Sequence, residues 1–440
     1  MSQINEKNMN DIIDETESRA ILISLITPDN PESECHRSLD ELERLADTAG
    51  IVSCARLTQS RSSPDTATYI GKGKIEEAKS VISANDINIA IIDDELSPSQ
   101  IRNIEESFGE LNIEVIDRTM LILEIFSRRA HSSEGKLQIE IALLRYTLPR
   151  LTGKGKDMSR LGGGMGGGVG ARRGAGETKL EIERRNLKSR ISAGESELKH
   201  LELSREIMRK RRKKSAIPNI AIAGYTNSGK STLLNYLTDA GILAEDKLFA
   251  TLDPTTRNLK MPSGAEILLT DTVGFINKLP HHLIKAFKST LNEINYSDVI
   301  LIVADISDSE HEEQLEVAKS LIAEMGATDK PIIIAYNKID RIDEVLVDAA
   351  VKSNENENVV YISAVTGEGI DRLLNKIEEV LSKQKSSVSF LFPLSDQSSI
   401  NNLYKNSKVL DIEYRDDSVA VKAVVDNKTK GMYKKYLIGV

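Results

Sequence analysis

Short apolar runs alternate with amphipathic stretches in two parts of the chain, residues 19–117 and 217–382. Runs such as AILISLI and PIIIAY have the length of buried strands, and the stretches between such runs repeat an apolar residue every three or four positions. Strands that alternate with helices predict a mainly parallel β-sheet covered by helices. We therefore predict two α/β domains, followed by a small α+β domain at residues 385–440.

The region between these two parts carries two longer helical patterns. In each of them, apolar residues recur in steps of three and four, which keeps one helical face apolar. Two such helices can pack against each other as an antiparallel hairpin. The first series is Leu137, Ile141, Leu144, Leu148 and Leu151, and the second is Leu187, Ile191, Leu198, Leu201 and Met208, with Gly194 and Arg205 as imperfect members.

A glycine-rich basic segment, residues 153–177, separates the two helical patterns. Its composition predicts a flexible, cationic tip, because so much glycine cannot form a packed core. The helical patterns on both sides favour a tip held by a rigid helical hairpin over a simple linker, because a linker seldom needs a rigid support. A second basic run, RKRRKKS at residues 209–215, is consistent either with a solvated linker or with phosphate contacts. The basic residues of the tip are Lys154, Lys156, Arg160, Arg172 and Arg173.

Length and composition narrow the class of protein. A chain of 440 residues is expected to form several domains. Only Cys35 and Cys54 are present, which excludes a disulfide framework and a four-cysteine zinc site. The net charge of -9 argues against a uniformly basic nucleic-acid-binding protein. No leader-like or membrane-spanning run is visible, so we expect a cytoplasmic protein, either free or peripheral at a membrane.

The segment GYTNSGKS, residues 224–231, matches the phosphate-binding loop pattern G-x-x-x-x-G-K-[ST]. It follows a predicted strand and precedes a helical pattern, which is the context that the pattern requires. Glycines allow successive backbone N–H groups to approach phosphate oxygens, and the helix N-terminus adds positive potential. We expect Lys230 to neutralise the β- and γ-phosphates and the Ser231 hydroxyl to bind Mg²⁺.

The tetrapeptide NKID, residues 337–340, indicates which base is bound. It lies directly after an apolar strand, where the carboxyl end of a strand meets the ligand crevice. The Asp340 carboxylate can accept hydrogen bonds from both N1–H and the 2-amino group of guanine, whereas adenine offers neither donor. Sites that pair such polar groups reject analogues lacking them by roughly 10⁴ or more. GTP is therefore favoured over ATP.

Further elements complete a guanine-nucleotide switch. Asp271 ends a strand and can hold the magnesium through a water, while the N–H of Gly274 can detect a γ-phosphate. The segment SAVTGEG from Ser363 can close over the base. A second magnesium-binding hydroxyl is expected in DKLFATLDPTTR, where spacing alone cannot choose among Thr251, Thr255 and Thr256; at least two of the three must be ordinary loop residues.

Phe275 follows Gly274 at the position where many Ras-type relatives carry a glutamine that orients the attacking water. Phenylalanine has no donor or acceptor, so we expect slow intrinsic hydrolysis that a partner accelerates. Packing of Phe275 beneath the switch is compatible with this. We interpret His281 and His282 as a solvated pair at the start of a helix. The run from Gly71 to Lys74 is too short to be strong evidence for a phosphate contact.

The chain resembles the HflX family of translational GTPases, within the group that includes the Obg proteins. The resemblance covers nearly the whole chain and rests on YIGKGK, GETKLEIERR, GYTNSGKSTLLN, LFATLDPTTR and DTVGFI. The glycine tip is longer than the usual family pattern and has Ala175 where proline is typical, which affects how deeply such a tip inserts.

The resemblance implies a fold of the α/β class, with a P-loop GTPase domain preceded by an α/β domain carrying a long helical hairpin and followed by a small α+β domain. The corresponding boundaries are an N-terminal domain at 1–133, the hairpin and tip at 134–215, the GTP-binding domain at 216–384 and the C-terminal domain at 385–440.

The resemblance also implies that this is a monomeric GTPase acting on the large (50S) ribosomal subunit, with the 153–177 tip reaching 23S rRNA near the peptidyl-transferase region. Ribosome splitting, rescue and biogenesis are the tasks it suggests, and some members are reported to bind ATP at the N-terminal domain. A nucleotide-independent RNA-binding assembly module and a P-loop ATPase remain the alternatives.

The family pattern selects Thr251 as the switch threonine, which with Ser231 would bind Mg²⁺. Lys230 and Gly274 are the expected catalytic residues. The expected nucleotide-binding residues are Gly224, Tyr225, Thr226, Asn227, Ser228, Gly229, Lys230, Ser231, Thr232, Phe249, Ala250, Thr251, Leu252, Asp253, Asp271, Thr272, Val273, Gly274, Asn337, Lys338, Ile339, Asp340, Ser363, Ala364 and Val365.

Overall fold

The structure is a computed structural model. It describes residues 18–153, 172–214, 217–238, 248–249, 255–278, 280, 283, 293–343, 345, 347, 358–383 and 385–438. The contacts divide the chain into two compact units. Unit 1 is formed by Met1–Glu202, Glu245–Asp253 and Ile276–Thr290, and unit 2 by Leu203–Ala244, Pro254–Phe275 and Leu291–Val440.

Unit 1 contains a four-stranded sheet in the order β2-β1-β3-β4, and every pair of neighbouring strands is parallel. The prediction of a parallel sheet for residues 19–117 is confirmed. The apolar run that forms β1 is buried on both faces, as expected for a strand with helices on either side. The strands are β1 (Arg19–Ile26), β2 (Val52–Ser60), β3 (Ile89–Ile92) and β4 (Glu114–Asp117), and the helices are α1 (Glu32–Thr48), α2 (Lys72–Ala84), α3 (Pro98–Phe108), α4 (Arg118–Arg129) and α5 (Ser133–Thr147), with 3₁₀ turns at Gly109–Leu111 and Leu148–Gly153.

Buried charged side chains in unit 1 connect its helices to the carboxyl ends of its strands through hydrogen bonds and ion pairs. Asp117 is fully buried, caps α4 through the N–H of Met120 at 2.8 Å, and accepts the hydroxyl of Tyr146 at 2.8 Å. Burial raises the pKa of Asp117, against the opposing effect of these donors and of Arg150. The carboxylate therefore joins β4, α4 and α5, because each of its donors comes from a different element.

Asp93, at the end of β3, is also fully buried and is paired with two cations. Arg118 lies 2.8 Å from one of its oxygens and Lys278 lies 3.0 Å from the other. Arg118 also donates to the carbonyl of Asn277 at 3.1 Å and pairs with Glu41 at 2.5 Å. These contacts explain why the segment starting at Ile276 belongs to unit 1, since a buried carboxylate is stabilised only when it is paired.

The two predicted longer helices are present as α5 and as α6 (Arg172–Lys214), which passes from unit 1 into unit 2 after Glu202. Between Leu187 and Arg205 the predicted series is the less exposed face of α6, and Gly194 is its buried member. A Cβ at Gly194 would lie 3.0 Å from Ile141 and 3.4 Å from Leu137, so the two helices touch there. The antiparallel arrangement of these helices remains a prediction.

The predicted tip is only partly described, because residues 154–171 lie outside the described residues. Residues 172–177, which the glycine content assigned to the flexible tip, form the start of α6 instead. Arginine, alanine and glutamate in this stretch favour a helix, and they outweigh the two glycines. The predicted boundary of the tip was therefore wrong at its C-terminal end.

Unit 2 contains a six-stranded sheet in the order β10-β9-β8-β5-β7-β6, which is parallel except for the β6-β7 pair. The strands predicted in residues 217–382 are confirmed. The elements are β5 (Asn219–Gly224), α7 (Lys230–Thr238), β6 (Thr255–Lys260), β7 (Glu266–Asp271), β8 (Val299–Asp305), α8 (His311–Glu324), β9 (Ile332–Asn337), a 3₁₀ turn (Ile339–Arg341), β10 (Val359–Tyr361) and α9 (Ile370–Lys383).

Thr255 and Thr256 are residues of the edge strand β6, not of a loop as the sequence suggested. Thr255 pairs with Asp271 across the antiparallel ladder, and the hydroxyl of Thr256 lies 3.1 Å from that of Thr270. Thr251 lies outside the described residues. β-branched threonines suit an edge strand with one polar face, which accounts for the difference.

The C-terminal part of unit 2 is a three-stranded antiparallel sheet in the order β11-β13-β12, which confirms the predicted α+β tail. Its core contains the aromatic side chains of Phe390, Phe392 and Tyr433. Its elements are β11 (Lys385–Pro393), α10 (Gln397–Asn406), β12 (Lys408–Tyr414), β13 (Ser418–Asp426), α11 (Asn427–Met432) and a 3₁₀ turn (Lys434–Tyr436).

Two left-handed glycines of unit 2 differ in their surroundings and give a test of the fold. A Cβ at Gly369 would overlap the carbonyl oxygen of Tyr361, whereas a Cβ at Gly326 would meet nothing within 4 Å. We expect Gly326→Ala to reduce the free energy of unfolding by about 1 kcal/mol and Gly369→Ala by about 3 kcal/mol, because only the second adds a steric overlap to the cost of the left-handed backbone. Urea unfolding of both variants measures the difference, and equal losses would contradict the close approach.

Candidate nucleotide-binding site

The loop between β5 and α7 has the shape of a phosphate cradle. Gly224 and Gly229 both have positive φ angles, 144° and 93°. A Cβ at Gly224 would overlap the carbonyl of Val303, and one at Gly229 would overlap the side-chain amide of Asn337. Only glycine fits at either position, so the loop stays in close contact with β8 and β9. This is the arrangement that lets backbone N–H groups face a bound phosphate.

Lys230 begins α7 and is buried, with 6% of its surface exposed. Its ammonium donates to the carbonyl of Tyr225 at 2.6 Å. Burial lowers the pKa of Lys230 to about 8, while Asp271 acts in the opposite direction and Lys338 lowers it further. A desolvated cation of this kind is stabilised by an anion, which the phosphates of a nucleotide would supply.

Ser231 and Asp271 bring two oxygen ligands together. The hydroxyl of Ser231 donates to a carboxylate oxygen of Asp271 at 2.8 Å, and Asp271 is fully buried at the end of β7. Hard oxygen ligands next to a phosphate cradle suit Mg²⁺, which keeps several waters and takes one or two protein oxygens. The residues present therefore fit this metal ion.

The strand end that follows Asp271 is tied to the phosphate loop by backbone hydrogen bonds. Thr226 N–H donates to the carbonyl of Phe275 at 2.8 Å, and the N–H of Phe275 donates to the carbonyl of Gly224 at 3.0 Å. A Cβ at Gly274 would lie 2.8 Å from the methyl group of Thr226 and 3.1 Å from the ammonium of Lys230. Gly274 and the phosphate loop thus approach each other closely, as a sensor of the terminal phosphate requires.

The side chain of Phe275 is buried, with 2% of its surface exposed. It lies in the interior and presents no polar group. Val273 is buried as well, and the hydroxyl of Thr272 donates to the carbonyl of Ile222 at 2.8 Å. The burial of these side chains and the bond of Thr272 to β5 hold the segment in place.

Asn337 connects the phosphate loop with the loop that follows β10. Its amide nitrogen donates to the carbonyl of Ser228 at 2.8 Å, and its amide oxygen accepts the N–H of Ala364 at 2.9 Å. Asn337 is 2% exposed, so both bonds are shielded from water. The three sequence motifs therefore meet at one side chain.

Asp340 is exposed, and one of its oxygens accepts the hydroxyl of Ser363 at 2.6 Å. Ser363 in turn accepts the N–H of Thr366 at 3.1 Å. Ile339, between the polar residues of the motif, is buried. The carboxylate is thus held in one orientation while it faces solvent, which is what recognition of a base by two hydrogen bonds requires.

Lys338 pairs with a residue that the sequence did not single out. Its ammonium lies 2.6 Å from a carboxylate oxygen of Asp305, and both side chains are mostly buried. The other oxygen of Asp305 accepts the hydroxyl of Ser307 at 2.6 Å. Asp305 ends β8, beside β9 in the sheet, so a carboxylate at a strand end next to the NKID strand was the signal available in the sequence.

The remaining predicted residues are placed as follows. Thr232 lies in the first turn of α7, and Val365 is 73% exposed beside Ala364. Phe249 belongs to unit 1, where its ring packs edge-on against Phe126 at 4.6 Å. Within unit 2 the structure brings together the residues at 224–232, 271–274, 337–340 and 363–365. Ala250, Thr251, Leu252, Asp253, His281 and His282 lie outside the described residues.

The Gly71 to Lys74 run begins α2 of unit 1. The N–H of Gly71 donates to the side chain of Gln59 at 2.9 Å, and Lys74 pairs with Glu77 at 2.8 Å. These contacts are internal to the protein, so they account for the run without a ligand. In the part of the chain that the structure describes, none of the helices is long and apolar enough to cross a membrane.

Four family models match successive parts of the chain. They are described as the N-terminal part of a GTP-binding GTPase for residues 36–127, its middle region for 129–212, a 50S ribosome-binding GTPase for 219–338 and the HflX C-terminal domain for 348–434.

Curated relatives named GTPase HflX match nearly the whole chain. The protein from Caldanaerobacter subterraneus subsp. tengcongensis is 47% identical over 96% of this chain and 94% of its own length. That of Lacrimispora saccharolytica is 49% identical over 94% of this chain and 95% of its own length.

Among solved structures, a GTP-binding protein from the hyperthermophilic archaeon Sulfolobus solfataricus in complex with GDP is 28% identical. The match has a TM-score of 0.43 and covers 83% of this chain and 99% of that chain. From the four family models and the full-length relatives it follows that this chain belongs to the HflX family of GTPases.

Proposed function

We propose that this chain binds GTP with Mg²⁺, hydrolyses the GTP to GDP and phosphate, and associates with the large ribosomal subunit in its GTP-bound form. The observation that carries the first part is the combination of a buried Lys230 ammonium in a phosphate cradle with an oriented carboxylate at Asp340. These two groups suit the opposite ends of a guanine nucleotide. Asn337 holds the loops that carry them in a fixed relation.

Selection of the base follows from Asp340. Its carboxylate would accept N1–H and the 2-amino group of guanine, while Ser363 fixes its orientation. A buried or oriented acceptor left without a donor is costly, so adenine would bind far more weakly. This argues against the alternative of a P-loop ATPase.

Hydrolysis depends on the residues that would surround the β- and γ-phosphates of GTP. Ser231, Asp271 through a water, and Thr251 would hold the Mg²⁺, which when bound neutralises charge on the β- and γ-phosphates. Lys230 places a cation against the same phosphates, and the N–H of Gly274 contacts the terminal phosphoryl group. Because the buried Phe275 side chain offers no group to orient water, intrinsic turnover would be slow and a ribosomal partner would accelerate it.

The ribosomal part of the proposal is supported by the family model for residues 219–338, which is described as a 50S ribosome-binding GTPase. The basic segment 153–177, whose last six residues begin α6, would contact 23S rRNA, since positive charge on a glycine-rich segment can follow a narrow RNA groove. On this proposal the protein acts as a monomer on ribosomes in the cytoplasm, and ATP binding by the N-terminal domain is a separate, second activity.

The guanine assignment can be tested by Asp340→Asn. We expect GDP affinity to fall by about 100-fold or more, because one acceptor for guanine becomes a donor, while affinity for xanthosine diphosphate rises. Isothermal titration calorimetry measures both. Asp343→Asn, three residues further on and exposed, is the matched control and should bind GDP as the unaltered protein does. Competition of ATP with GTP at comparable concentrations in the unaltered protein would refute the assignment.

The buried lysine predicts a pH dependence of binding. Above pH 8 the Lys230 ammonium loses its proton in the free protein, so GDP affinity should fall by up to about tenfold per pH unit. Titrations between pH 7 and pH 8.8 test this. Guanosine, which shares the base but has no phosphate, is the control ligand, and a flat GDP profile would contradict the role of Lys230.

Association with ribosomes should depend on the nucleotide. We expect the protein to sediment with large subunits in the presence of a slowly hydrolysed GTP analogue and to remain in the supernatant with GDP. Large subunits should also increase GTP turnover, because they order the segments around Thr251 and Gly274. Binding that is equal with both nucleotides would favour the nucleotide-independent assembly module.

A further inference from the structure

Thr226, in the phosphate loop, carries a buried hydroxyl that makes none of the contacts described above. The residue is 6% exposed, and its Oγ1 has no hydrogen-bond partner among the described residues. A buried hydroxyl without a partner costs about 1–3 kcal/mol. Such a group in a native structure calls for an explanation, and a catalytic role is one of the recognised explanations.

The position of this hydroxyl is set by its neighbours. The methyl group of Thr226 lies 2.8 Å from the point where Gly274 would carry a Cβ, and the ammonium of Lys230 lies 3.1 Å from the same point. The N–H of Thr226 donates to the carbonyl of Phe275 at 2.8 Å. A β-branched side chain has few rotamers, so a methyl group packed against Gly274 also fixes the hydroxyl beside it.

The chemistry of the site leaves a role for such a group. In phosphoryl transfer, charge spreads over three equatorial oxygens of the transferred group, and donors aimed at them lower the barrier. Lys230 and the N–H of Gly274 supply two donors. Phe275 supplies none, because its side chain is apolar and buried. The methyl group of Thr226 and the ammonium of Lys230 lie 2.8 Å and 3.1 Å from the position that a Cβ of Gly274 would take, so Thr226 adjoins both of these residues.

We propose that the Thr226 hydroxyl donates a hydrogen bond to an oxygen of the terminal phosphoryl group of GTP, as a catalytic residue of hydrolysis. The inference rests on the proposed function, since it requires GTP in this cradle. GDP lacks the terminal group, so the hydroxyl loses its partner after hydrolysis. Thr226 thus contributes to the difference in affinity between the two nucleotides.

The same loop offers a matched control. The hydroxyl of Ser228 is also buried without a partner among the described residues, but it lies 3.2 Å from the point where Gly224 would carry a Cβ, on the side of the loop that faces β8. Removing it deletes a similar group from the same loop without changing the neighbourhood of Gly274. Ser228→Ala therefore reports the general effect of altering the loop.

The test uses the full chain with Thr226→Val, Thr226→Ser and Ser228→Ala. Valine keeps the branched shape and the methyl contact but removes the hydroxyl, whereas serine keeps the hydroxyl. The measurements are the dissociation constants for GDP and for a non-hydrolysable GTP analogue, the single-turnover rate of GTP hydrolysis, and the melting temperature without nucleotide.

For Thr226→Val we expect GDP binding within about twofold of the unaltered protein, analogue binding about tenfold weaker and hydrolysis at least about tenfold slower, from the loss of one donor to a charged group. Thr226→Ser should stay within about threefold in all three measurements. Ser228→Ala should keep the ratio of analogue to GDP affinity. The melting temperature of Thr226→Val should not fall, because an unpaired buried hydroxyl has been removed.

Equal loss of GDP and analogue affinity in Thr226→Val would overturn the inference, since it would indicate a structural role. Unaltered analogue affinity and hydrolysis in that variant would also overturn it. Both results would leave the proposed function intact. The proposed function fails separately if the unaltered protein neither binds nor hydrolyses GTP, and the inference then fails with it.

Discussion

The bonds made by the side chain of Asn337 are the constraint on which the nucleotide site depends. One end of its amide holds the carbonyl of Ser228 and the other holds the N–H of Ala364, with almost no exposure to water. Gly229 must be glycine because this amide occupies the space that a Cβ would need. The phosphate-loop motif at 224–231 and the loop that follows β10 are consequently joined by one buried side chain. A carboxamide is required here, since only it offers a donor and an acceptor in the same plane.

The parts of the fold that could be predicted are those set by local patterns. Buried strands are visible in the sequence as apolar runs, which is why strands β5 and β7 to β10 could be predicted. The loop after Gly224 could be predicted because its backbone angles require glycine. The apolar face of α6 was also visible, including Gly194, which the pattern marked as an imperfect member and the packing explains.

The parts that could not be predicted depend on partners distant in sequence. The ion pair of Lys338 with Asp305 arises because β8 and β9 are neighbours in the sheet; the sequence shows Asp305 at a strand end but not which strand lies beside it. The ring of Phe249 packs against Phe126 of unit 1, a contact that the sequence pattern around Phe249 does not indicate. Thr255 and Thr256 were open candidates for a magnesium ligand until the antiparallel ladder of β6 placed them opposite Asp271 and Thr270. Only the structure shows that the Thr226 hydroxyl is buried without a hydrogen-bond partner among the described residues.

The left-handed Gly367 has a further consequence. A Cβ at this position would overlap the hydroxyl of Tyr236, a residue of α7, so the loop around the base is pressed directly onto the helix that begins at Lys230. Together with the bonds of Asn337, this contact joins the loop after β10 both to the phosphate loop and to α7. If the proposed function holds, a nucleotide that contacts both loops would be held more tightly than its separate fragments.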